Sequence, residues 1–130
     1  MHCAADALSL RHVRVLHGRA EDLAKNPAHR EKYGLVVSRA VARLNILAEL
    51  CLPFVKAGGI FAAYKGPESA QEITEAQHAL HLLGGQVHSI QNYRLPQQMG
   101  ERSLIIIEKI NKTPEQYPRK AGIPSKKPLI

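Results

Sequence analysis

The sequence has no tryptophan, only two cysteines, and no Gly-x-Gly anywhere. Two thiols, Cys3 and Cys51, cannot build a disulfide framework, so the expected setting is a reducing, cytoplasmic one. Without Gly-x-Gly there is no phosphate-cradling loop; the pairs Gly58-Gly59 and Gly84-Gly85 read instead as helix terminators. No uncharged apolar run approaches the ~20 residues a membrane helix needs. Residues Met1 to Asp6 lack the basic patch and apolar run of a secretory signal. Membrane and secreted classes are therefore not expected. No Ser–His–Asp, Cys–His or paired-carboxylate arrangement is signalled, so no catalytic side chain is assigned. His78 and His81 lie three apart on one expected helix, but no cysteine or carboxylate cluster adds ligands at zinc-like spacing, and no metal is expected.

What is present fits one globular unit. Hydrophobic residues make up 45% of the 130, enough to bury a core and offset ordering entropy. The net charge of +7 is uneven: residues 1–110 carry 13 basic and 10 acidic groups, whereas 111–130 carry five and one. Four of the eight prolines also fall in that last stretch. The expected organisation is a domain over 1–110 followed by an extended, basic, proline-rich tail over 111–130. Such a tail suits a polyanion, because each neutralised phosphate releases counterions; as a bare charge pattern it equally fits a solubilising tail.

The hydrophobic period switches repeatedly. Val13 to Leu16 reads as a strand, Gly18 to Asp22 as a turn into a short helix, and Gly34 to Ser38 as a strand buried on both faces. Val41, Leu44, Leu47, Ala48, Cys51 and Val55 form one helical stripe, with a kink or early end at Pro53 and a stop at Gly58-Gly59. On that stripe Cys51 reads as a small core hydrophobe. Ile60 to Tyr64 reads as a buried strand. Ala70, Ile73, Ala76, Leu80 and Leu83 mark a helix that opens on Glu68, Glu72 and Glu75 and ends at Gly84-Gly85. Val87 to Tyr93 and Ser103 to Lys109 form an antiparallel hairpin. The layout is α/β, with a mostly parallel sheet ending in an antiparallel hairpin.

In such folds ligands gather beyond the carboxyl ends of the strands. That singles out Glu21, Arg39 and Lys65, with Arg102 at the hairpin. Glu21 suits an adenine or ribose contact, or a dipole-complementing acid. Arg39, directly after an apolar strand, calls for a phosphate, carboxylate, nucleobase or salt-bridge partner, since burying it unpaired is costly. Lys65 is either a ligand contact or a solvated strand-end lysine, and Arg102 either a contact or half of a surface pair with Glu101.

Several runs are shared with one family. Val37-Ser38-Arg39-Ala40-Val41-Ala42, Leu47-Ala48-Glu49-Leu50-Cys51-Leu52-Pro53 and Tyr117-Pro118-Arg119-Lys120-Ala121-Gly122 resemble the bacterial small-subunit ribosomal RNA methyltransferase G family, also called glucose-inhibited division protein B. Arg19-Ala20-Glu21, Leu83-Gly84-Gly85, Leu95-Pro96 and Glu101 to Ile107 follow in matching order. The resemblance implies a Rossmann-like class I methyltransferase using S-adenosyl-L-methionine and acting on guanine N7 of 16S ribosomal RNA, as such or in a small-subunit precursor. By position it implies Ala20, Glu21 and Arg39 as cofactor contacts, and Arg39, Lys65, Arg102, Arg119 and Lys120 as residues facing RNA. It covers the C-terminal part of the family only. The glycine-rich loop and the ribose-binding acid belong upstream, so the expected protein is a truncated portion, inactive alone; the competing expectation is a non-enzymatic basic RNA-binding module.

Overall fold

The computed structural model describes residues 18–39, 42–66, 69–94, 96 and 100–130; the strand expected at Val13 to Leu16 lies outside them. The described elements run α1 (Ala20–Leu23), β1 (Tyr33–Ser38), α2 (Leu44–Cys51), a 3-10 turn (Leu52–Phe54), β2 (Val55–Lys65), α3 (Ser69–Leu83), β3 (Gly85–Arg94), β4 (Glu101–Lys109) and α4 (Ile123–Lys126). The four strands form one sheet in the order β1-β2-β4-β3. β1 and β2 are parallel, while β4 is antiparallel to both its neighbours, β2 and β3. Three of the four described strands therefore point one way, with the return arm of the hairpin inserted among them. This is the α/β sheet with a terminal hairpin that the sequence predicts.

One sheet face carries the core. Phe61, Ala63, Ile105 and Ile107 pack there against Leu44, Leu47 and Ala48 of α2 and Ile73, Ala76, Leu80 and Leu83 of α3. The helical spacing of three and four gathers these side chains on one stripe, and each fully buried large one contributes roughly 1.5–3 kcal/mol. Pro53 ends α2, as expected: the helix stops at Cys51 and the proline sits in the following 3-10 turn. No described helix is long and apolar enough to cross a membrane.

The opposite face departs from the expectation of strands buried on both sides. Register places Leu35 beside Ile60 and Val37 beside Ala62, and alternation puts Tyr64 on the same side. Leu35, Val37, Ile60 and Tyr64 are all exposed.

Gly58-Gly59 also differs from its expected role. The pair lies inside β2, which begins at Val55. There the β1–β2 register slips between Tyr33 and Leu35, a bulge. Gly58 has φ +87°, and a Cβ on Gly59 would lie 2.9 Å from the Gly34 carbonyl oxygen, so glycine is required for the strand and not for a helix end. Gly84 does cap α3, at φ +88° against the backbone of Asn111.

The last twenty residues do not form an extended tail. Thr113 donates through Oγ1 to the Leu83 carbonyl at 2.7 Å, Tyr117 and Pro124 are buried, and α4 is helical. Arg30 organises the turn into this segment, donating to the carbonyls of Tyr117 (2.7 Å), Thr113 and Pro114 (both 3.0 Å).

Lys109, at the end of β4, is fully buried. Its ammonium donates to the carbonyls of Leu52 and Val55 at 2.8 Å and pairs with Glu31 at 3.3 Å, fastening the turn between α2 and β2. Burial holds its pKa below the ordinary lysine value, with Glu31 opposing the shift. Between that lowered value and roughly 10.4 the unfolded chain binds more protons than the folded one, so the Lys109 contribution to stability rises with pH. Cys51 acts in reverse. Burial pushes its thiol up to about 12, so stability is lost as pH climbs above about 9. The stability difference between wild type and Lys109→Met, from urea unfolding at pH 7 to 10, isolates Lys109 and is expected to widen as pH rises.

Candidate functional site

The parallel strands β1 and β2 end at Ser38 and Lys65, and the chain beyond β1 is tied down from both sides. Ser38 pairs with Ala63 in the ladder. The Lys65 ammonium donates to the Ala42 carbonyl and pairs with Glu72 of α3 at 3.0 Å. Glu72 in turn accepts from the Leu44 backbone N–H at 3.0 Å, supplying from another helix the cap that Arg43 does not provide for α2. Arg43 pairs with Glu75 on the next turn of α3, which raises the arginine's pKa further. Between these anchors Arg39 is exposed, its guanidinium 5.8 Å from the ring centroid of Tyr64. A cation over an aromatic face at this distance is a favourable contact.

Lys65 therefore differs from its expected RNA-facing role. It is 7% exposed, and its charge is neutralised inside the protein by Glu72. Its work is to fasten the Ala42 carbonyl, just before α2, to the end of β2. Arg102 is half-buried on β4, opposite Tyr93 in the ladder.

The other expected residues lie around the C-terminal segment. Ala20 is half-buried on α1. Glu21 beside it is buried, accepting from the Gly122 N–H at 2.9 Å and from Arg19 at 3.4 Å. Burial opposes ionisation of Glu21, but these donors outweigh it and its pKa is lowered. Arg119 also turns inward, contrary to the expectation that it meets RNA. Its Nε and Nη2 donate to the Glu49 carboxylate at 3.0 and 2.8 Å, its backbone N–H to Glu49 at 2.8 Å, and Nη2 also reaches the Lys127 carbonyl at 2.6 Å. Lys120 is exposed, with Lys112, Lys126 and Lys127. The segment thus uses its arginine to dock and presents its lysines to solvent.

Sequence reading missed Glu49, Glu72 and Tyr64. The two acids carry no signal beyond a charge on a helix, and the backbone N–H groups they accept from, those of Arg119 and Leu44, are 70 and 28 residues away. Tyr64 is marked only by its place at the end of a strand. Among the described residues no group of three or more His, Cys, Asp or Glu could hold a metal ion.

The family model for rRNA small subunit methyltransferase G matches residues 1–105. This chain belongs to that family. It is 52% identical over 126 residues to the ribosomal RNA small subunit methyltransferase G of Brevibacillus brevis, covering 97% of this chain and 53% of the relative. The enzyme of the same name from Staphylococcus carnosus is 50% identical over 127 residues, again 97% of this chain and 53% of the relative. The chain therefore spans about half the length of the curated relatives it matches. A crystal structure of an rRNA methylase from Streptococcus thermophilus superposes with a TM-score of 0.54 at 17% identity, over 85% of this chain and 65% of that one. At that identity the likeness concerns the fold, and it agrees with a truncated methyltransferase sheet.

Glu49 is buried, and removing its charge leaves Arg119 without its counter-ion. Glu49→Gln is expected to cost about 3 kcal/mol. Urea unfolding measures the loss, and trypsin cleavage after Lys120 is expected to accelerate as the C-terminal segment comes away from α2.

Proposed function

We propose that this chain is the C-terminal part of an S-adenosyl-L-methionine-dependent methyltransferase that modifies guanine N7 in 16S ribosomal RNA in the cytoplasm. The observation that carries the reading is Arg39. In a chain of this family, it stands exposed at the carboxyl end of a parallel strand, close to the start of α2 that Lys65, Glu72 and Glu75 hold. That is where a doubly wound sheet takes its ligand. Guanine N7 has an available lone pair and needs no base to deprotonate it, so the reaction asks chiefly for orientation. A guanidinium can supply this by stacking on the base or donating to its edge.

The described residues do not by themselves fit the cofactor. Glu21 already has its carboxylate engaged by Gly122 and Arg19, Arg39 is open to solvent, and no Gly-x-Gly exists to approach a ligand closely. The remaining cofactor contacts are assigned to the upstream half of the relatives' length, and no methyl-transfer step is derived from this portion alone. The exposed Lys112, Lys120, Lys126 and Lys127 support RNA binding through phosphate contacts.

Calorimetric titration of S-adenosyl-L-methionine into this chain, and into a version extended upstream to the relatives' length, tests the reading. Binding and methylation of small-subunit RNA are expected of the extended form, with no binding by the 130 residues. RNA binding without cofactor binding in both forms would instead favour a non-enzymatic RNA-binding module.

A further inference from the structure

The excess of positive charge has a definite place in the fold. After Glu115 the chain has no acidic residue and four basic ones, Arg119, Lys120, Lys126 and Lys127. Arg119 is spent on Glu49, but the three lysines are exposed. Among the described residues none of their ammonium groups enters an ion pair. The rest of the helical layer is different: α3, fifteen residues long, carries Glu72 and Glu75 and neither lysine nor arginine.

The short helix α1 extends this basic patch. Glu21 accepts from the Gly122 N–H at 2.9 Å, and Arg30 donates to the carbonyls of Ala24 at 3.5 Å and Tyr117 at 2.7 Å. Those bonds lay α1 alongside residues 117–122. They bring up Arg19, whose side chain is 62% exposed even while it meets Glu21, and the exposed Lys25. Between them Asp22 is exposed and Glu21 is buried. The patch belongs to the side of the sheet that the helices cover, away from the open face of Leu35, Val37 and Ile60. Tyr117 and Leu129 join the core there, and Asn45 of α2 donates to the Leu129 carbonyl at 2.9 Å.

We propose that Arg19, Lys25, Lys120, Lys126 and Lys127 form a fixed surface that holds the phosphate backbone of a base-paired segment of the RNA substrate. This rests on the RNA methyltransferase reading above and adds which feature of the RNA this side of the protein holds. Charge points to a polyanion, and two further observations select the duplex. Single strands are held by stacking their bases on exposed rings. Residues 18–25 contain no aromatic side chain, and the one in 111–130, Tyr117, is buried. The surface is also rigid, because Arg119 on Glu49 and Arg30 on three carbonyls hold its backbone. Lysines at set positions suit the regular phosphate rows of a helix, which are contacted without reading sequence.

The test measures binding of a fluorescently labelled RNA hairpin stem, and of an unpaired strand of equal charge, by the 130-residue chain across a salt series. The stem is expected to bind more tightly than the strand. Lys120→Gln, Lys126→Gln and Lys127→Gln are expected each to lower the salt slope for the stem by about one, and the triple variant by about three. Lys56→Gln, an equal change of charge at an exposed position of β2, is expected to bind as wild type. Glu49→Gln keeps every lysine but frees the segment, and is expected to abolish the preference for the stem. Wild-type slopes in the lysine variants would overturn the surface and leave the methyltransferase reading to its own cofactor titration. Equal affinity of the wild-type chain for stem and strand would overturn the duplex assignment. In the upstream-extended protein the triple variant is expected to lower the slope by the same amount. No change there would mean that the upstream polypeptide covers this side, and would overturn the inference.

Discussion

Glu49 sits on the inner side of α2 with none of its surface exposed, where an ionised carboxylate is tolerable only if its lone pairs are met. Arg119 meets them with its side chain and its own backbone N–H. That contact fixes the whole C-terminal segment. From it follow Tyr117 in the core, the Gly122 N–H at Glu21, and the Leu129 carbonyl accepting from Asn45 at 2.9 Å. Arg30 provides the second fastening by gathering the carbonyls of 113, 114 and 117, and Lys109 a third by closing the turn before β2. Among the described residues no buried side-chain nitrogen or oxygen is left without a partner. A segment read as solvated from its prolines and lysines is thereby part of the domain.

The same device recurs at the candidate site with the charges exchanged. There a buried lysine, Lys65, is matched by Glu72, and the pair fastens Ala42 and the first turn of α2. Charges that might have been offered to a ligand are used to hold its frame, and the groups left exposed are Arg39 and the C-terminal lysines. The division has a physical basis. A buried ion pair breaks badly when either partner is removed, so it suits a fixed part, whereas an exposed guanidinium loses little on exchanging water for a phosphate or base.

Much of this was legible in the residues. The stripes Leu44-Leu47-Ala48 and Ile73-Ala76-Leu80-Leu83, the stop at Gly84-Gly85, the hairpin and the central Ile105 to Ile107 strand are local patterns, and local patterns survive folding when helix period and strand alternation decide burial. Gly58-Gly59 misled because a glycine pair after an apolar helix has the same composition whether it caps the helix or bulges the next strand. Leu35 and Val37 misled for another reason. A continuous apolar run records the need for cover on both faces, and the described residues cover only one.

By itself the sequence determined the order of elements from α1 to β4, the stripes that α2 and α3 bury, the excess of positive charge and the run after β1 that carries Arg39, because each depends on neighbours within a turn or a strand. Only the tertiary structure decided which charges face inward. Lys65 against Glu72, Arg119 against Glu49 and Lys109 against Glu31 are pairings between separate parts of the chain, and whether a cation is spent on the frame or left for a ligand depends on what the fold brings opposite it.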